Sequence, residues 1–326
     1  MSLDSDLIVD RRRMRRKLTF WRVFAVVVAI VAIGAVAVTL APRDIFVPGR
    51  AEIARVTISG LILGNRDRVE SLERLSKARG ARAVIVHVDS PGGTVAGSEE
   101  LFHALRRLAE NKPTVVVIDG MAASGGYLAA MSADRLIAQD NSLVGSIGVL
   151  FQYPNVTDLL KTVGVQVETI RSTPLKATPD GYEPTSPQAR AAIESIVMDS
   201  YAWFRDVVQD RRKLSGEALE KAVDGRVFTG RQAIELKLID QIGNEQTAID
   251  WLAKEKGIDA KLPVRDWKLA SRLRDLSFLH LAASAVLDAV GLTSLARRFE
   301  DTGSVQALER LNLDGLLALW HPPVAN

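Results

Sequence analysis

The sequence predicts an α/β fold, a sheet covered by helices on both faces. Three observations lead there. β-forming and helical segments alternate from residue 53 onward. The runs Ala83–Val88 and Thr114–Ile118 each end at a turn rich in glycine. And 326 residues with 47% hydrophobic content can bury a substantial core.

Taken in order, the chain opens with a basic cluster, Arg11, Arg12, Arg13, Arg15, Arg16 and Lys17, within residues 1–22. Val23–Ala41 follows without a charge. As a helix it would span roughly 28 Å, against about 30 Å for a bilayer core. The flanking cations favour a cytoplasmic N-terminus, which sends the rest of the chain across an inner membrane as a single-pass anchor. The competing reading is a cleaved signal peptide, for which Ala35-Val36-Ala37 offers a small-x-small site, but the run exceeds the usual signal length. Residues 42–52 read as a connector with Pro42, Pro48 and Gly49.

Residues 53–255 read as the catalytic domain. Strands are expected at Ile53–Ile58, Ala83–Val88, Thr114–Ile118, Arg135–Ala138, Ile147–Leu150 and Val165–Ile170. Helices are expected at Arg66–Arg79, Val95–Glu110, Val156–Val163, Pro187–Arg212, Gly216–Val223, Gly230–Leu236 and Glu245–Lys254. Residues 256–326 read as a helical extension. Its Leu269–Leu292 carries Arg272, Arg274 and Asp275, so it suits an amphipathic or subunit-contacting helix better than a span. Packing on the domain is the other reading.

Composition excludes some chemistry. The absence of cysteine removes thiolate nucleophiles, disulfides and cysteine metal sites. A net charge of +3 with no basic stripe sets nucleic acid aside as a partner.

The most informative segment is Ala122-Ala123-Ser124-Gly125-Gly126, between the strand Thr114–Ile118 and a short apolar stretch. It places Ser124 where a strand ends and a helix begins, with amides that favour negative charge. Ser124 is therefore a candidate nucleophile, and serine needs a base. The four histidines, His87, His103, His280 and His321, occupy a strand, a helix face, the extension and the tail, and read as structural. A lysine can act instead when its amine is neutral. Lys176 stands in Ser172-Thr173-Pro174-Leu175-Lys176, the only lysine between Thr162 and Lys213. Asp89-Ser90-Pro91-Gly92-Gly93 ends a strand with glycines that could turn amides toward a cleft, or is a plain tight turn. Gly145-Ser146-Ile147-Gly148 is either a glycine-bracketed strand start or the support for a lysine amine.

In chain order, Asp89–Gly93, Gly120–Tyr127, Gly145–Gly148 and Ser172–Lys176 resemble the signal peptide peptidase A family in its short single-copy form. A further piece, Gly225-Arg226-Val227-Phe228-Thr229-Gly230 with Ala233 and Leu238-Ile239-Asp240, is also typical. The resemblance covers roughly Ile53 to Leu252. It implies a ClpP/crotonase-type fold and a serine–lysine dyad: Ser124 as nucleophile, Lys176 as general base and Ser146 holding the lysine amine. Gly93 and Gly125 would supply oxyanion amides. It also implies a homo-oligomeric ring whose sites are shared between neighbours. Two departures stand out: Lys237 where glycine is usual, and Asp180-Gly181-Tyr182 where proline and phenylalanine are commoner.

The resulting expectation is a membrane-anchored endopeptidase, working without cofactor or metal on signal-peptide remnants and similar apolar peptides. Two other classes compete. A non-catalytic ring-forming scaffold is disfavoured by Ser124, Lys176 and Ser146 occurring together. An acyl-CoA hydratase or isomerase is disfavoured because no catalytic carboxylate stands at the Ser124 turn.

Overall fold

The computed structural model describes residue 17, residues 50–269 and the backbone of residues 316–319. The expected anchor at 23–41, residues 42–49 of the connector and all of Leu269–Leu292 but its first residue lie outside the described residues. No helix among the described residues is long and apolar enough to cross a membrane.

The described chain is a mixed α/β fold with a mainly parallel sheet. β1 (Glu52–Ile62) leads through α1 (Arg66–Lys77) to β2 (Ala81–Thr94), which pairs parallel to it. α2 (Val95–Asn111) then delivers β3 (Thr114–Ala123), parallel to β2 on the other side. β4 (Arg135–Ala138) and β8 (Gln241–Ile242) extend the same parallel order. Local chemistry marks the starts. Asn65 accepts the Arg68 amide, Thr94 the Gly97 amide, and Ser186 the Ala189 amide ahead of the long α5 (Pro187–Arg212), which has proline in its first turn.

Both faces of the sheet are buried. Ala54, Val56, Ile58, Val84, Val86 and Val116 point to one side, onto Leu72, Leu75, Leu101, Leu105 and Phe204 of the helices. Burying each leucine contributes roughly 1.5–3 kcal/mol. The alternate residues Ile53, Ile85, Val115 and Val117 face Ala248 and Leu252 of α8 (Glu245–Lys256). This two-sided burial is why the strands read as unbroken apolar runs.

Several expected boundaries change. β2 and β3 run past their apolar stretches to Thr94 and Ala123, so Asp89–Gly93 is strand with a register shift after Val88. Of the expected Ile147–Leu150 only Leu150 is strand; Ile147-Gly148-Val149 is not. β5 (Leu143–Gly145) and β6 (Leu150–Phe151) flank it, because Ser146 takes a left-handed conformation that ends the pleat. Val165–Ile170 has no regular structure. All six residues are exposed, and β-forming side chains need a half-buried sheet to pack on. α4 is confined to Thr157–Thr162.

The extension expected to be helical contributes strands where it is described. β9 (Val264–Asp266) pairs parallel to β1, and β10 (Leu316–Leu319) pairs antiparallel to both β2 and β6. The sheet therefore does not stop at residue 255. These segments satisfy backbone groups that β1 and β2 would otherwise present unpaired.

Candidate active site

β3 carries the chain into Ser124, which stands directly before α3 (Gly125–Ala130). Its backbone angles are φ 52° and ψ −119°, a sparsely populated conformation for a residue with a side chain. The surroundings hold it there. Its amide donates to the Gly145 carbonyl at 2.7 Å, and its carbonyl accepts from the Leu128 amide at 3.0 Å. Although Ser124 occupies the capping position of α3, its hydroxyl makes no capping bond. Among the described residues it donates only to the Gly148 carbonyl, across a long 3.4 Å. A buried serine hydroxyl left so lightly engaged is available for chemistry.

The close approach of α3 to β2 depends on glycine. A Cβ on Gly126 would lie 2.5 Å from the Ser90 carbonyl oxygen. Ser90 pairs in register with Ala122 and donates its hydroxyl to the Gly60 carbonyl at 2.7 Å. Gly93 is tighter still, since a Cβ there would sit 1.8 Å from the Ile62 carbonyl oxygen. Its register partners are Ile62 on β1 and Ala318 on β10. Gly125 follows Ser124 as the first residue of α3, where helix amides lack partners within the helix.

Ser146 stands beside this junction. Gly145, the residue before it, pairs with Ala123 and accepts the Ser124 amide. Ser146 itself has φ 50° and donates its amide to the Arg226 carbonyl at 2.8 Å. So two serines with positive φ stand side by side at the same end of one short parallel pairing. The Gly225–Gly230 segment explains itself here. β7 (Val227–Thr229) pairs antiparallel to β5, and a Cβ on Gly230 would lie 2.1 Å from the Gln139 carbonyl oxygen.

Leu238-Ile239-Asp240 secures the helix that follows Ser124. The fully buried Tyr127 donates its hydroxyl to the Leu238 carbonyl at 2.7 Å, and burial pushes the phenol well above its ordinary range. Asp240 accepts the Leu136 amide at 2.7 Å and pairs with Arg212 at 2.8 Å. Lys237 adopts φ 58°, so the place where the resemblance expects glycine has the backbone that glycine suits.

Lys176 lies apart from this group in the single chain. It sits in an exposed turn, its amide donating to the Thr173 carbonyl at 3.1 Å. Among the described residues no hydrogen bond joins its amine to Ser124 or Ser146. The structure thus gathers Ser124, Gly125, Ser146 and Gly148 at one junction and places Lys176 on the surface.

His87 does not approach Ser124 by any hydrogen bond. Its Nδ1 contacts Asp119 at 2.9 Å and its Nε2 contacts Glu245 at 2.7 Å. Glu245 also receives two Arg55 hydrogen bonds of 2.7 Å, and these hold its carboxyl below the usual carboxylate range. Arg55 further meets Asp266 on β9 at 3.0 Å. This network ties α8 and β9 to the central strands. His103 faces Glu99 at 3.8 Å on α2. Sequence reasoning missed both this network and the contacts around Arg171, because their partners lie far apart in the chain or carry no motif.

Fold and junction together define a mixed α/β enzyme with a serine at a strand-to-helix turn. The profile of peptidase family S49 matches residues 106–259. A Synechocystis sp. protein named "Putative protease slr0021" is 35% identical over 64% of this chain and 76% of its own length. "Serine protease SPPA, chloroplastic" of Arabidopsis thaliana is 32% identical over 58% of this chain and 28% of its own. "Protease 4" of Haemophilus influenzae is 29% identical, with 61% and 34% covered. The chain spans about a third or less of these last two relatives. It belongs to peptidase family S49 of the signal peptide peptidase A type, and it is a protease.

Proposed function

We propose that this protease uses a Ser124–Lys176 dyad on a ClpP/crotonase-type fold to hydrolyse extended apolar peptides, with the site completed between neighbouring copies. The observation that carries this reading is Ser124 itself: buried, held in strained backbone by the Gly145 carbonyl, and free of any capping duty. Ser124 Oγ attacks the peptide carbonyl while Lys176 Nζ takes its proton. The amides of Gly93 and Gly125 receive the developing oxyanion. The C–N bond then breaks as the lysine returns the proton to the leaving amine. Water, deprotonated by the same amine, hydrolyses the acyl-enzyme and frees Ser124.

Two features support the remaining parts. β10 lies antiparallel along Gly92–Thr94 with β6 on its other side, so an extended backbone fits the lane beside Gly93. The segment that leads to Lys176 carries exposed Leu159, Val163, Val167, Ile170 and Leu175, apolar side chains of the kind that a second copy would cover. The charge-free run 23–41 after a basic cluster supports a membrane anchor with the catalytic domain on the far side, where signal-peptide remnants are the substrate class.

A complementation experiment tests the dyad and the sharing together. Ser124→Ala and Lys176→Ala should each abolish peptide hydrolysis, and Ser124→Ala should abolish fluorophosphonate labelling. Mixed oligomers of the two variants should regain activity, because some interfaces then hold both intact residues. Wild-type hydrolysis should rise toward alkaline pH, as expected for an amine base. Equal slow turnover by Lys176→Ala and wild type would favour the scaffold reading.

A further inference from the structure

We propose that Arg171 is a positioning residue for Lys176, acting through an ion-pair clamp with Asp180 and Glu183 that closes the neck of the loop carrying the lysine. The inference rests on the dyad reading and names what sets the amine in place.

The loop between the clamp residues offers little else to fix it. Residues 172–177 are all exposed, and the Lys176 amide bonds only within the turn. The neck is the opposite. Arg171 and Asp180 side chains are only 14% and 16% exposed. One guanidinium nitrogen meets Asp180 at 2.5 Å and the other meets Glu183 at 2.7 Å. The second Asp180 oxygen accepts the Tyr182 amide at 2.9 Å, so the carboxylate is fixed from both sides.

The neck is stitched in turn to the segment leading from Ser146. Gly181 donates no side chain, and a Cβ there would lie 2.1 Å from the Pro154 carbonyl oxygen. Its carbonyl accepts the Val156 amide at 2.9 Å, and Tyr153 shares a 2.5 Å hydroxyl contact with Thr185. Residues 153–156 follow β6, which follows Gly145–Gly148 beside Ser124. A continuous set of bonds therefore relates the base of the Lys176 loop to the chain flanking the nucleophile. An apolar pair could stabilise such a neck equally well, whereas a two-carboxylate fork fixes direction. Asp180, in the segment Asp180-Gly181-Tyr182 that departs from the family pattern, is an acceptor that the fork uses.

The test compares wild type, Arg171→Met, Asp180→Asn, the charge swap Arg171→Asp with Asp180→Arg, and Lys176→Ala, each as the full chain. An apolar peptide substrate is used, with active sites counted by fluorophosphonate labelling at saturation. Arg171→Met and Asp180→Asn should lose on the order of 10²-fold in kcat with KM nearly unchanged, as a misplaced base does. The swap should recover at least about tenfold of that loss. Wild-type kcat per labelled serine in both single variants would overturn the clamp. If Lys176→Ala is inactive in that case, the dyad stands without it. If Lys176→Ala turns over like wild type, the dyad fails and the clamp's purpose with it. Should Arg171→Met not fold, Arg171→Lys, which keeps the charge but loses the fork, takes its place.

Discussion

Replacing Gly126 by alanine probes how closely the nucleophile turn is built. The new Cβ would meet the Ser90 carbonyl oxygen at 2.5 Å and the Ser90 Cβ at 3.2 Å. That is about 1 Å short of ordinary van der Waals separation from the oxygen. The obstacle is backbone within a paired strand, since Ser90 is in register with Ala122, so it cannot swing aside. α3 must retreat from β2 instead, and Ser124, one residue before the helix, moves with it. Overpacking of this kind costs typically 1–3 kcal/mol. For a domain of this size the melting temperature should fall by roughly 2–12 °C. A nucleophile displaced by about 1 Å should lose on the order of 10²-fold in turnover. Thermal melting and fluorophosphonate labelling rates measure the two effects separately. Gly64→Ala is the control, because its Cβ would meet only the Glu100 carboxylate at 3.9 Å. A Gly126→Ala variant that labels and melts like wild type would refute the close-approach argument.

Three other substitutions reach different parts of the structure. Ala318→Pro removes a backbone amide from β10 at the residue in register with Gly93; if β10 competes for the peptide lane, KM for an extended peptide should fall several-fold, and an unchanged KM would count against the lane. Glu245, held below its ordinary value of 4.5 by Arg55 and then His87, contributes stability that is present above that pH and lost as pH falls below it. Glu245→Gln should therefore cost about 1.5–3 kcal/mol at pH 7 by chemical denaturation, with the difference shrinking below about pH 4.5; a gap constant with pH would contradict this. Lys237→Gly relieves a left-handed residue, a strain of about 1–2 kcal/mol, less about 0.5–1 kcal/mol for glycine's freedom when unfolded. A melting temperature raised by up to roughly 6 °C is expected, and a fall would show that the side chain matters more than its backbone angle.

Local signals carried far in this chain. The strand-to-helix placement of Ser124 was legible because glycines and an apolar strand mark such a turn wherever it occurs. α5 was legible end to end, since Ser186 and Pro187 announce a helix start in the chain itself. Arg135–Ala138 was equally plain. Val165–Ile170 misled for the opposite reason: β propensity measures fit to a neighbouring surface, and within one chain those residues have none.

What the sequence determined by itself is the alternation of strands and helices, the family, and the residue types available for peptide hydrolysis. Each depends on neighbours within a few residues or on ordered motifs. Only the tertiary structure decided that Gly145 holds Ser124 by its amide, that His87 serves Asp119 and Glu245, and that Arg171 gathers Asp180 and Glu183. It also put Lys176 on the surface of the single chain. Hydrogen bonds and ion pairs act over about 3 Å of space whatever the separation along the chain, so a partner 158 residues away, as Glu245 is from His87, leaves no trace in either local sequence.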